Sequence, residues 1–394
     1  MNASTPSRLG VVVSGGAPTV HLAAGALCAF YEKAPKFDVV ATAGAGALPG
    51  LMYVAPKGGD PQKALRNSVN LNIHNALYQL IPSNFKVFHK YGPFSKLFWQ
   101  LGHLIPHFPL PPEERLSNSA KRLYNDWIDL VTAAITPTTL NYRSKSVLTR
   151  VQVIDDLVDW AGLRNYSGEF FLNSFSLKDR TLKVFDKTML SPEAFYAALA
   201  MPWLYVPTEY QGTLYTEGAS HDPGGLLAVF KNKQPTLDKL DAIVFLDTIG
   251  PELWTDPESI YEAMQLTIMD PIVTLLENFC GLFAFEEFVY DQLKMPMLPK
   301  VYRLPFDVSS WERGKLLEWS YENALTLWET GYEAALEFCN DLIPDSNAAT
   351  RAQAVAQSRP AEKYRYLRNL KPESREGDFF KLFDIHLPAG PGGP

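Results

Sequence analysis

Between Phe37 and Tyr53 the chain reads FDVVATAGAGALPGLMY, and this stretch narrows the possible folds more than any other. Phe37 to Ala41 is a mainly apolar run of strand length, with Val39 and Val40 β-branched. From Ala45 onward small and apolar residues favour a helix, and the Gly and Ala between the two allow an abrupt change of direction. Upstream, RLGVVVSGGAP repeats the plan with a run that breaks at Gly15 and Gly16. TVHLAAGALCAFYEK follows, with Val20, Ala23, Ala24, Leu27 and Tyr31 on one helical face. Strands alternating with helices across glycine turns predict an α/β fold with a mostly parallel central sheet flanked by helices. Strand, sharp turn, helix is also the shape that holds a nucleophilic Ser at the mouth of a sheet. No Ser lies between Phe37 and Tyr53.

From about residue 60 to 148 the pattern changes. NLNIHNALYQLIPSNFKVFHKYGPFSKLFWQLGHLIPHFPLPPEER holds four of the seven His (His74, His89, His103, His107) among many aromatics, broken by prolines. This predicts a helical insert capping a site, with Phe94, Phe98 and Trp99 as apolar ligand contacts. EFFLNSFSLKDRTLKVFDK predicts two strands turning near Lys178-Asp179-Arg180. SPEAFYAALAMPW predicts a helix capped by Ser191 with Pro192 in its first turn. TEYQGTLYTEGASHDP predicts a hairpin around Gln211-Gly212 and then a loop, and LDAIVFLDTIG one more strand. The expected organisation is a tail over 1–8, an α/β domain over 9–250, a helical region over 251–344 and a polar, partly disordered tail over 345–394.

A net charge of −7 argues against nucleic acid as a partner. The three Cys, Cys28, Cys280 and Cys339, lie far apart, which predicts neither a disulfide framework nor a zinc site and fits a reducing, cytoplasmic setting. The first residues lack the basic patch and long apolar run of a signal peptide, and no run of 18 apolar residues predicts a membrane span. The four insert His match no familiar ligand spacing, so no metal and no cofactor are expected.

Three segments in order then resemble the patatin-like phospholipases: VVVSGGAPTVHLAAGAL, FDVVATAGAGALPG and LSPEAFYAALAMPWLYVPTEYQGTLYTEGASHDP. The resemblance spans roughly residues 9 to 250 and implies that family's fold and its Ser–Asp chemistry on acyl esters. The family's Gly-x-Ser-x-Gly falls on Thr42-Ala43-Gly44-Ala45-Gly46, which puts Gly44 at the nucleophile position. The family's Asp-Gly loop falls on Glu217-Gly218-Ala219, with Glu217 at the base position. The glycine-rich oxyanion loop falls on Gly15, Gly16 and Ala17, followed by Pro18, which has no N–H to donate, and Thr19.

A glycine hydrogen cannot attack a carbonyl, so no serine acyl-enzyme is expected. Because Thr42, Pro18, Thr19 and Glu217 also depart from the family, natural drift explains Gly44 better than a single introduced change. Ser14 and Thr42 are the nearest substitute hydroxyls. His21, His221 and Asp222 are further candidates for acid–base work. The resulting expectation is a patatin-like protein that binds or acts on acyl-lipid or acyl-thioester ligands without the standard dyad, with peripheral membrane contact as an added partner. The alternatives are an inactivated or substitute-nucleophile acyl hydrolase and a non-catalytic protein-interaction scaffold.

Overall fold

The computed structural model describes residues 8–33, 36–110, 119–225, 240–249, 263, 266–267, 270–278, 299–304, 306–308 and 317–342. The strands are β1 (Leu9–Val13), β2 (Val39–Thr42), β3 (Glu169–Ser176), β4 (Thr181–Asp186), β5 (Thr208–Tyr210), β6 (Thr213–Glu217), β7 (Ala242–Leu246) and β8 (Lys300–Leu304). They form one 8-stranded sheet in the order β5-β6-β3-β2-β1-β7-β8, with β4 also on β3. The five strands from β3 to β8 along that order are parallel, and β4, β5 and β6 pair antiparallel. The predicted α/β fold with a mostly parallel sheet is therefore the observed one. β1 and β7 are buried at every position, as their unbroken apolar runs require of strands covered on both faces.

Side chains alternate across the sheet. Val11, Val13, Val40, Phe170 and Val244 face one core, and Val12, Ala41, Phe171 and Phe245 face another. The first core is closed by α1 (Val20–Lys33), α2 (Ala47–Val54) and α3 (Pro61–Asn67). The second receives Val273 and Leu276 from the helical residues 270–278.

The expectation of a single apolar face on α1 is corrected. Every residue from Val20 to Phe30 is buried, while Tyr31 is exposed. The reason is a helix far along the chain, α10 (Tyr321–Leu342), which packs across α1 and reaches β8 through Phe338 on Tyr302. A Cβ at Gly25 would overlap the Trp328 carbonyl, and one at Gly331 the Leu22 carbonyl, so the two backbones touch at paired glycines. The region after 250 is thus not helical throughout: it supplies β8 to the sheet and α10 to the main core. The expected tail over 345–394 lies outside the described residues.

The insert is built from α4 (Asn75–Leu80), α5 (Ser95–His103) and α6 (Ser119–Ile135), and α7 (Ile154–Leu157) and α8 (Trp160–Arg164) lead from it back to the sheet. It has a small core of its own around Ile73, Leu77, Tyr78 and Phe85. The chain returns to the sheet at β3. The β3–β4 turn has Arg180 at φ 54°, and the β5–β6 hairpin has Gln211 and Gly212 at φ 49° and 74°, each where the turn residues predicted it. Ser191 accepts a hydrogen bond from Ala194 N and caps α9 (Pro192–Ala198).

Candidate active site

Two strands share one edge of β3 and run toward each other. β2 pairs with residues 169–172 and ends at Thr42 beside Leu172. β6 pairs with residues 174–176 in the opposite sense and ends at Glu217 beside Ser174. The ends of these strands are therefore brought together, and the loops that follow them meet.

The loop after β2 is the elbow. Gly44 has φ +47°, and residues Gly44–Gly46 form one 3-10 turn before α2 begins. A Cβ at Gly46 would run into the Ser14 carbonyl, so only glycine lets the turn press against the end of β1. Thr42, where the resemblance places a glycine, is accommodated by Gly50: a Cβ there would lie 2.6 Å from the Thr42 methyl. The Thr42 hydroxyl donates to Phe171 O at 3.0 Å inside the sheet.

A Cβ built on Gly44 would lie 2.7 Å from Glu217 Oε1 and 2.9 Å from Ala219 Cβ. The Glu217 carboxylate thus stands over the elbow in the space that a side chain at position 44 would occupy. Glu217 keeps some contact with water, but removal of its carboxylate from bulk solvent pushes the pKa up to about 7, against the lowering pull of the Ser220 hydroxyl, which donates to Oε2 at 3.3 Å. Tyr205 is buried nearby. Its phenol is pushed up by burial first and by the charge of Glu217 second.

The glycine loop after β1 closes the same corner. Gly15 lies against Ala219, and its N–H donates to Pro223 O at 3.0 Å. Gly16 has φ +114° beside Thr19 and Thr248. Among the described residues the N–H groups of Gly16 and Ala17 donate to no protein acceptor, and Ala17 is exposed. Ser14 is fully buried: its hydroxyl donates to Leu246 O at 2.9 Å and accepts from Thr248 N at 2.8 Å. Neither Ser14 nor Thr42 presents a free hydroxyl to the elbow.

The remaining candidates are placed as follows. Asn72 donates to His21 Nε2 at 2.7 Å, and the other ring nitrogen lies 3.4 Å from the Ser68 hydroxyl. Burial holds the His21 pKa down to about 4, so both nitrogens of a neutral ring are used within the fold. His221 is exposed and stacks on Phe175 with ring centroids 3.7 Å apart. Asp222 is buried, and Asn173 donates to its carbonyl at 2.8 Å and to its carboxylate at 3.4 Å. This pair shapes the loop that carries Glu217, since a Cβ at Gly218 would lie 2.6 Å from Asn173.

In the insert, Phe94 is exposed, while Phe98 and Trp99 are half-buried. Trp99 lines a cavity of ≈ 490 Å³ within the insert, together with Phe85, His89 and Leu130. Neither Gly44 nor Glu217 lines that cavity. A second cavity, of ≈ 330 Å³, is lined by Tyr205, Tyr196 and Arg150, with Tyr91, Gly92 and Pro93 from the insert. The Arg150 guanidinium sits over the Tyr196 ring at 4.6 Å. Sequence reasoning missed Tyr205, Arg150 and Asn173. Of these only Asn173 carried a signal, as a lone amide inside the apolar run EFFLNSF.

Sheet order, elbow and converging loops define a hydrolase-type α/β architecture with a glycine at the elbow. A family model described as patatin-like phospholipase matches residues 11–230, and the chain belongs to that family. Among solved structures the chain is similar to VipD from Legionella pneumophila, with 12% identity over 86% of this chain and 68% of that one and a TM-score of 0.37. No curated protein matches.

Proposed function

We propose that this chain takes acyl-lipid or acyl-thioester ligands at the elbow and acts on them through Glu217 as a general base, with no serine acyl-enzyme. The observation that carries this reading is the Glu217 carboxylate over Gly44, in the space of the missing side chain. A carboxylate with a pKa of about 7 is a stronger base than an ordinary one, and about half of it is in the ionised, proton-accepting form at neutral pH. Glu217 removes that proton as the oxygen attacks the acyl carbonyl, and the N–H groups of Gly16 and Ala17 receive the oxyanion. The intermediate then collapses to the free acid as the acyl C–S or C–O bond breaks, and Glu217 returns the proton to the departing thiolate or alkoxide. Pro18 shortens this donor set, so turnover is slow. The cavity beside Tyr205, with Arg150 at its edge, has room for the ligand's head group.

Hydrolysis of an acyl thioester by the native chain should be slow, should rise with pH through an inflection near 7, and should fall by about 10²-fold or more in Glu217→Gln. A fluorophosphonate should not label the native chain. Gly44→Ser alone should stay unlabelled, because its Cβ meets Glu217 Oε1 and Ala219. Gly44→Ser with Glu217→Asp and Ala219→Gly withdraws the carboxylate by one methylene, removes the Ala219 Cβ and should label. Turnover unchanged in Glu217→Gln, or labelling of the native chain, would overturn the reading.

A further inference from the structure

α6 is turned inside out. Its polar residues face the protein: the Arg122 guanidinium lies over the Tyr321 ring at 3.4 Å and donates to Asn70 Oδ1 at 2.8 Å. Asn125 bonds both the N–H and the carbonyl of Phe108 at 2.8 Å. Asp126, fully buried, accepts from His74 N at 2.6 Å and pairs with Lys86 Nζ at 2.5 Å. Leu123, Trp127, Val131 and Ile135, each one turn after the last, face outward, with Trp127 52% and Ile135 63% exposed. An apolar stripe at that spacing normally faces a core.

The neighbouring helix repeats the inversion. α5 exposes Leu97 and Leu101, and Leu104 just beyond its end is 78% exposed. The two helices lie close at Gly102, where a Cβ would meet Thr132 at 2.8 Å, and Phe108 and Tyr124, both exposed, touch edge to face at 5.2 Å between them. So large an apolar surface marks a partner or a membrane.

Charge decides which. Residues 71–150 carry nine Lys or Arg against four Asp or Glu, an excess of positive charge in a chain whose net charge is −7. Lys96 and Lys121 are exposed on the two helices themselves, and Arg143 and Lys145 on the loop after them. A second copy would bring one basic insert against another, which repels. An anionic bilayer is attracted, and Trp127 and the exposed Tyr142 are side chains favoured at its headgroup boundary. We infer that the α5–α6 face of the insert docks on an anionic lipid bilayer. α5 follows directly on Tyr91–Pro93, which line the cavity beside Tyr205, so docking holds that cavity near the membrane surface. The inference does not depend on the chemistry of Glu217.

The test is flotation of the full chain with vesicles of about three parts phosphatidylcholine to one part phosphatidylglycerol. The native chain should float with these vesicles, less with phosphatidylcholine alone, and less again as salt rises from about 0.1 M to about 0.5 M. Trp127→Ser with Val131→Ser should lower the bound-to-free ratio at least about tenfold while the thermal midpoint stays put, because both side chains are already exposed. Lys96→Glu with Lys121→Glu should lower it only on anionic vesicles. Tyr31→Ser, an exposed apolar position on α1, should leave it unchanged. No flotation on any vesicle, or flotation indifferent to the Trp127 and Val131 pair, sinks the inference. So does a dimer in sedimentation that this pair abolishes, since the face would then belong to a second copy.

Discussion

The sheet with its elbow and the insert solve opposite problems with the same residue types. Around the elbow, small residues let backbones touch. Gly46 admits the end of β1, Gly50 makes room for Thr42, and Gly25 and Gly331 bring α1 and α10 into backbone contact. Apolar side chains there point into two continuous cores. In the insert the core is small, polar side chains hold the helices from within, and the apolar stripes face out. The comparison shows that an apolar periodicity fixes a helix but not its orientation. In α6 the side with the better polar partners is the buried one, and the apolar stripe is left exposed.

The sharpest way to break this contrast is at the helix crossing. Gly25→Ala would force a Cβ into the Trp328 carbonyl, which cannot give without parting α1 from α10. The expected loss exceeds the about 3 kcal/mol usual for overpacking, enough to abolish the cooperative urea transition. Retention of that transition within about 1 kcal/mol of native would show that α1 and α10 can part at Gly25 without loss of the fold.

Next in size is Asp126→Ala in the insert. It removes the acceptor of the His74 N–H and leaves Lys86 buried beside no carboxylate. A loss of about 3 kcal/mol is expected in chemical denaturation. A loss under about 1 kcal/mol would mean that the inward polar face of α6 does not hold the insert together.

The smallest effect has the opposite sign. The Glu217 pKa rises from 4.5 to about 7 on folding, so between these values the folded chain binds more protons than the unfolded one. Stability contributed by this group is therefore present at low pH and lost as pH rises through about 7. Glu217→Gln should relieve that loss and stabilise the chain at pH 8 by on the order of 2 kcal/mol, with little gain near pH 4, the full linkage being reduced because the side chain keeps contact with water. An equal gain at both pH values would assign the effect to packing instead of charge.

Much of the fold was legible in local chemistry. The β-branched runs, Ser191-Pro192 and Gln211-Gly212 each specify their structure within a few residues, because strand, cap and turn depend on neighbours in the chain. The tight glycine turn at Gly44–Gly46 was legible too, because small residues between a strand run and a helix are a local pattern. The sequence alone determined that Gly44 offers no nucleophile and Pro18 no N–H donor, since these are properties of single residues. Only the tertiary structure decided that Glu217, so far from Gly44 in the chain, stands over it. That follows from β2 and β6 meeting head-on along β3, a pairing that no local pattern encodes. Tertiary structure also decided which side of α6 is buried. The stripe of Leu123, Trp127, Val131 and Ile135 reads the same whichever way the helix is rolled. Its direction was fixed by partners for Arg122, Asn125 and Asp126 that come from the far side of the insert and from the start of α10. Burying a charge without a partner costs more than exposing a leucine, and that difference rolled the helix.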